Sequence, residues 1–114
     1  MRPNVHIDDI TELYLFLLNH PEVRGVYNAG FENLSIMEIA QVVSNDIGAR
    51  IVVSSSTDLR SYRVNSDKLL ATGFRPKKTV RDAIDEIVSR FQLGVLRDED
   101  RFHNLKWMQR EVMK

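Results

Sequence analysis

Apolar residues recur along this 114-residue chain in runs that predict helices, and between them lie short runs that alternate or cluster as strands do. The most regular stripe is Val80, Ala83, Ile84, Ile87, Val88 and Phe91, which predicts a packing helix over 80–92 with Thr79 and Asp82 as its cap. A second stripe, Ile36, Ile39, Ala40, Val43 and Ile47, predicts a helix over 36–47 that starts at a Ser35/Glu38 capping box and stops at Gly48. The third helix, Ile10 to Leu18, is different: Leu13, Tyr14, Leu15, Phe16, Leu17 and Leu18 are consecutive, so it needs cover on most sides. Either it lies at the centre of the fold, or part of it packs on something outside the chain or on a second copy. Asp8 or Asp9 is placed to cap it, and Asp9 with Glu12 has capping-box spacing.

Three short stretches read as extended: Val5-His6-Ile7, Val26 to Ala29 between Gly25 and Gly30, and the β-branched run Arg50 to Ser54. Strand, helix and strand from 26 to 54 fit a right-handed parallel crossover. That arrangement sets the polar residues after Ser54 beyond a strand's C-terminal end, where open α/β sheets bind ligands. A small helix follows, with Asn65 or Ser66 as its cap, Leu69 and Leu70 as its apolar contact, Gly73 as its left-handed stop and Pro76 against a restart. From about Asp98 to Met113, Phe102, Leu105, Met108 and Val112 predict a terminal helix, acidic at its start and basic at its end. The expectation is an α/β chain of short strands and about four or five helices.

Composition narrows the function. Sixteen basic and sixteen acidic side chains cancel, so no overall field recruits nucleic acid or an anionic membrane. There are no cysteines, which excludes disulfides and cysteine-ligated zinc and fits a cytoplasmic setting. No apolar run nears the roughly 20 residues that span a bilayer. His6, His20 and His103 fall in separate elements without ligand spacing, so no metal site is expected. No G-x-G-x-x-G run occurs, and no dinucleotide fingerprint with it.

The candidate chemistry lies at Thr57 to Lys77, where Asp58, Arg60, Tyr62 and Arg63 precede the small helix. Arginine's rigid donor fork matches a diphosphate, although the same residues also suit a solvated loop in which arginines pair with local acids.

Three stretches resemble, in order, the extended short-chain dehydrogenases, the nucleotide-sugar epimerase and dehydratase family. RPNVHIDDI at 2–10 is similar to the family's arginine-to-aspartate-aspartate run, with Pro3 in place of aspartate. GVYNAGFENLSIMEIA at 25–40 resembles its strand, turn and helix. Asp58, Arg60, Asn65, Lys68 and Thr72-Gly73-Phe74 before Pro76 resemble its last motif, with Phe74 where the family has tryptophan.

The resemblance spans about residues 2–93 and implies a small C-terminal substrate-binding domain, with the N-terminal Rossmann domain absent. It implies a nucleotide-diphosphate sugar as ligand, with Arg2 and Arg60 on the diphosphate, Arg63 as a further contact, and Asp58, Tyr62 and Asn65 in support. The family's catalytic tyrosine is followed four residues later by lysine. Here Tyr14, Tyr27 and Tyr62 are followed at that distance by Leu18, Phe31 and Ser66, so no catalytic residue is expected and the chain alone is expected to be inactive. NAD or NADP is implied for the full-length isomerase or lyase, and none is expected to bind this chain. Residues 1–94 are expected to form the substrate domain and 95–114 a helical docking tail, in a homo-oligomer. The other reading is a non-catalytic structural or protein-interaction module that keeps the family fold.

Overall fold

In the computed structural model, residues 1–55 and 60–112 are described. The chain is a small mixed α/β protein. Among the described residues it has strands β1 (Arg2–Asn4) and β2 (Glu32–Leu34) and helices α1 (Ile7–Asn19), α2 (Ile36–Ile47), α3 (Asp67–Leu70), α4 (Val80–Gln92) and α5 (Asn104–Glu111). No helix among them is long and apolar enough to cross a membrane. Two compact units divide the chain, Met1–Ile84 and Asp85–Lys114.

Local chemistry explains the helices that the sequence predicts well. At the start of α2 the Ser35 hydroxyl accepts from the Glu38 N–H (3.1 Å) while the Glu38 carboxylate accepts from the Ser35 N–H (2.6 Å), and Gly48 closes the helix at φ 68°. The same reciprocal logic joins Thr79 and Asp82 at α4. Helix α1 begins three residues earlier than its periodicity indicates, because His6 is its cap, accepting from the Asp8 N–H through Nδ1 (3.1 Å). Neither Asp8 nor Asp9 fills that position. Histidine is not among the strong capping residues, so the pattern passes over it.

The extended segments differ most from expectation. The sheet has two strands paired antiparallel, with Arg2 opposite Leu34, Pro3 opposite Asn33 and Asn4 opposite Glu32. The expected parallel crossover is not formed. Val5-His6-Ile7 is the turn into α1, and residues 50–54 belong to no strand. Val52 and Val53 are 77% and 73% exposed, since β-branched propensity makes no strand without a neighbouring edge. Val26 to Ala29 keeps the alternation of a strand, with Tyr27 and Ala29 packed toward the core and Val26 exposed, but it has no ladder. Bonds to the α3 region hold it: Lys68 Nζ donates to the Val26 carbonyl (2.9 Å), and the segment's own Asn28 Nδ2 donates to the Asn65 carbonyl (3.3 Å).

The core of the first unit is Leu13, Leu69 and Phe74, with Phe16, Leu17, Tyr27, Ala29 and Phe31 packed around it. Phe74, where the resembling family has tryptophan, meets Phe16 edge-on (5.6 Å) and Phe31 at a tilt (5.9 Å). A polar layer flanks this core. Asp9, 1% exposed, accepts the N–H groups of Lys77 and Lys78 (2.9 and 3.0 Å), which ties α1 to the turn before α4. Buried Ser66 donates to the Gly30 carbonyl and accepts its N–H.

In the second unit no described residue is buried. The expected terminal helix is split into a 3-10 turn, Asp100–Phe102, and α5, with His103 between them in an extended conformation. The apolar face of α4 is covered only in its first half: Ile84 is buried, whereas Ile87 and Phe91 are more than half exposed.

Candidate functional site

Of the stretches singled out in the sequence, two are brought side by side. Segment 60–65 runs along the N-terminal strand region, where the Tyr62 N–H donates to the Met1 carbonyl (3.3 Å) and the Met1 ammonium donates to Ser61 Oγ (2.7 Å). One residue of β2 secures it. Asn33 Oδ1 accepts from the Val64 N–H (2.9 Å), and Asn33 Nδ2 donates to the Val64 carbonyl (3.0 Å), so a side-chain amide does what a neighbouring strand otherwise does. Gly30 allows the close approach: a Cβ there would stand 2.9 Å from the Pro3 Cβ and 3.6 Å from Val64.

This packing sets the Arg2 guanidinium over the Tyr62 ring, 5.6 Å from its centroid. The ring face is electron-rich and attracts the cation. Arg2 is half-buried, while Arg60, Tyr62 and Arg63 are exposed. Glu38 feels two positive groups of this surface, Arg63 and the Met1 ammonium. Its carboxyl is held below the usual range first by the Ser35 N–H, then by the Ser35 hydroxyl, with Arg63 and the Met1 ammonium adding to the effect. Arg2, Tyr62 and the Met1 ammonium thus share a surface with Glu38, whose carboxylate offsets part of the positive charge there.

The other predicted residues fall differently. Asn65 Oδ1 accepts from the Asp67 N–H and its Nδ2 donates to Asp67 Oδ2 (both 2.8 Å), so Asn65 starts α3. Asp58 lies outside the described residues. Lys68, part of the last motif, stands 4.6 Å from the Tyr27 ring centroid and binds the Val26 carbonyl, which is an architectural role.

Sequence reasoning missed Asn33 and gave Asp9 a capping role in place of its buried one. An asparagine inside a strand is a usable signal, because that residue is depleted there unless its side chain has work. For Asp9 no local signal exists, since its partners are 68 and 69 positions away.

Anions bind at helix N-termini where first-turn amides are open. One first-turn amide of each of α1, α2 and α4 is taken, by His6, Ser35 and Glu32. A depression of about 480 Å³ beside Phe16, His20, Phe74 and Arg75 is no better for an anion, because Arg75 donates to the Leu70 and Phe74 carbonyls and Lys77 at its rim pairs with Glu12 (3.6 Å). No protein-family model matches this chain, and no solved structure matches it.

Proposed function

We propose that the chain is the substrate-side portion of a nucleotide-sugar epimerase or 4,6-dehydratase of the extended short-chain dehydrogenase type. In this reading Arg2 and Arg60 hold the diphosphate of the sugar donor and Arg63 lies at the margin, for NAD- or NADP-dependent chemistry performed by a separate dinucleotide-binding domain. The observation that carries it is the seating of Arg2 on Tyr62. Arginine-bearing stretches sixty positions apart in sequence share one surface, held by backbone and Asn33 hydrogen bonds. Two guanidiniums give a diphosphate several charge-assisted bonds even in a chain of zero formal charge.

Without the rest of the cleft, affinity is expected to be weak, on the order of millimolar or about −4 kcal/mol. Titration of UDP- and GDP-sugars into the isotopically labelled chain, followed by amide NMR, tests this. Shifts at residues 60–66 that vanish in Arg60→Ala support the reading; shifts that persist unchanged in the variant remove Arg60 from the site.

A second reading, a non-catalytic structural or interaction module, is favoured by one fact. Met1, Arg2, Ser61 and Tyr62 engage one another, and Asn65 engages Asp67, which is how a purely architectural loop is built. Absence of any shift with either sugar favours that reading.

A further inference from the structure

We propose that residues 60–65 form a strap that opens from the edge of β1 as a unit, pivoting at Ser66 while the core stays folded, and that a diphosphate bridging Arg2 and Arg60 holds it shut. The closing role rests on the ligand reading above; the opening does not.

The strap is attached by a different kind of bond from its neighbours. Strands β1 and β2 hold each other by a main-chain ladder. Between Ser61 and Asn65, among the described residues, one main-chain bond to the rest of the unit is made, from the Tyr62 N–H to the Met1 carbonyl (3.3 Å). The other attachments run through side chains. Asn33 holds Val64 at both its N–H and its carbonyl (2.9 and 3.0 Å), Asn28 Nδ2 donates to the Asn65 carbonyl (3.3 Å), and Ser61 Oγ accepts from the Met1 ammonium (2.7 Å). Such bonds let go one side chain at a time and leave the ladder intact.

Burial sets where the opening stops. Ser61, Tyr62, Arg63 and Asn65 are exposed and Val64 is half-buried, so lifting the strap uncovers little apolar surface. At Ser66 this changes within one residue. Its hydroxyl is bonded to both the N–H and the carbonyl of Gly30, its carbonyl accepts the Leu69 and Leu70 N–H groups, and Leu69 is completely buried. The strap can therefore lift with α3 and Phe74 left in place. Few buried contacts and solvent-exposed hydrogen bonds are what a local opening requires.

The arginines stand on both sides of the line along which the strap lifts. Arg2 belongs to β1, where it is paired opposite Leu34, whereas Arg60 and Arg63 ride on the strap. When the strap is closed, Tyr62 lies under the Arg2 guanidinium. An anion bonded to Arg2 and Arg60 at once spans that line and loses one of its two holders when the strap lifts. A ligand that binds the closed form alone draws the equilibrium toward it.

Native-state hydrogen exchange of the full chain, followed by amide NMR through a urea series below the unfolding transition, tests the opening. The Tyr62 and Val64 amides are expected to exchange at least about tenfold faster than the Leu70 amide and nearly independently of urea, whereas Leu70 exchange accelerates with urea. Leu13→Val, which weakens the core, is expected to accelerate the Leu70 amide severalfold and to leave Tyr62 and Val64 unchanged. Asn33→Ala is expected to accelerate Tyr62 and Val64 together, by roughly fivefold or more. Exchange of Val64 at the rate and urea dependence of Leu70 overturns the proposal, as does equal acceleration of both by Leu13→Val. For the closing role, UDP-glucose at about 5 mM is expected to slow both strap amides at least about threefold, an effect lost in Arg2→Ala and in Arg60→Ala. Amide shifts on titration without slower exchange overturn the closing role and leave the ligand reading standing. Neither shifts nor slowing overturns the closing role together with that reading.

Discussion

The segment from Met1 to Ile84 and the segment from Asp85 onward contain similar helices, but different forces hold them. In the first, Leu69 is completely buried, Asp9 is 1% exposed with two amide donors, and Ser66 is locked to Gly30. In the second, α5 has a well-formed apolar stripe and buries none of it, with Leu105 70% exposed and Trp107 43% exposed. Amphipathic periodicity is therefore enough to make a helix and insufficient to give it a place. What distinguishes the first segment is a set of polar side chains that join parts of the chain distant in sequence. Their hydrogen bonds replace solvent contacts at positions where an unsatisfied group is costly.

The largest expected effect comes from the apolar centre. Leu69→Ala is expected to lower stability by roughly 2–5 kcal/mol, read by urea denaturation, because it empties the site that Leu13 and Phe74 close around. Only slightly smaller is Asp9→Ala, which leaves the Lys77 and Lys78 amides without their acceptor; roughly 2–4 kcal/mol is expected, with Asp9→Asn milder because it retains one oxygen. A loss below about 1 kcal/mol for Asp9→Ala would mean that water replaces the carboxylate and that the polar layer is not what separates the two segments.

Capping comes next. Ser35→Ala is expected to cost about 1 kcal/mol. The Glu38 carboxyl is lowered first by the Ser35 N–H, and that of Asp82 first by the Thr79 hydroxyl. For both, the folded-state value lies below the unfolded one. Their stabilisation is thus present above the unfolded value and is lost as pH falls through the folded one, in the window below about pH 4. Thermal melts between about pH 2.5 and 5 should show this acid limb, flattened in a Glu38→Gln, Asp82→Asn double variant.

At the small end, Trp107→Ala and Leu105→Ala are expected to change global stability by no more than about 0.5 kcal/mol. Hydrogen exchange completes the contrast, with protected amides around Leu69 and rapid exchange through α5. A Trp107→Ala loss comparable to that of Leu69→Ala would erase the distinction between the segments.

How much of this was readable beforehand depends on the range of each interaction. The boundaries of α2 and α4, their capping residues and the stop at Gly48 follow from side chains within three or four positions of each other. So does the left-handed turn at Gly73. Arg2 and the 60–63 stretch were both singled out, but their contact rests on Asn33 and Gly30, which no local pattern marks as a pair.

By itself, then, the sequence determined where most helices form and how they start. Tertiary structure alone decided that Glu32–Leu34, and not the more β-prone Ile51 to Val53, becomes the second strand, and that Asp9 is buried while Tyr14 and Leu18 are not. The physical reason is separation along the chain. Capping and periodicity act within one or two helical turns, whereas the bonds that seat β2, Asp9 and Val64 reach 28 to 69 positions, and no window of sequence contains both partners.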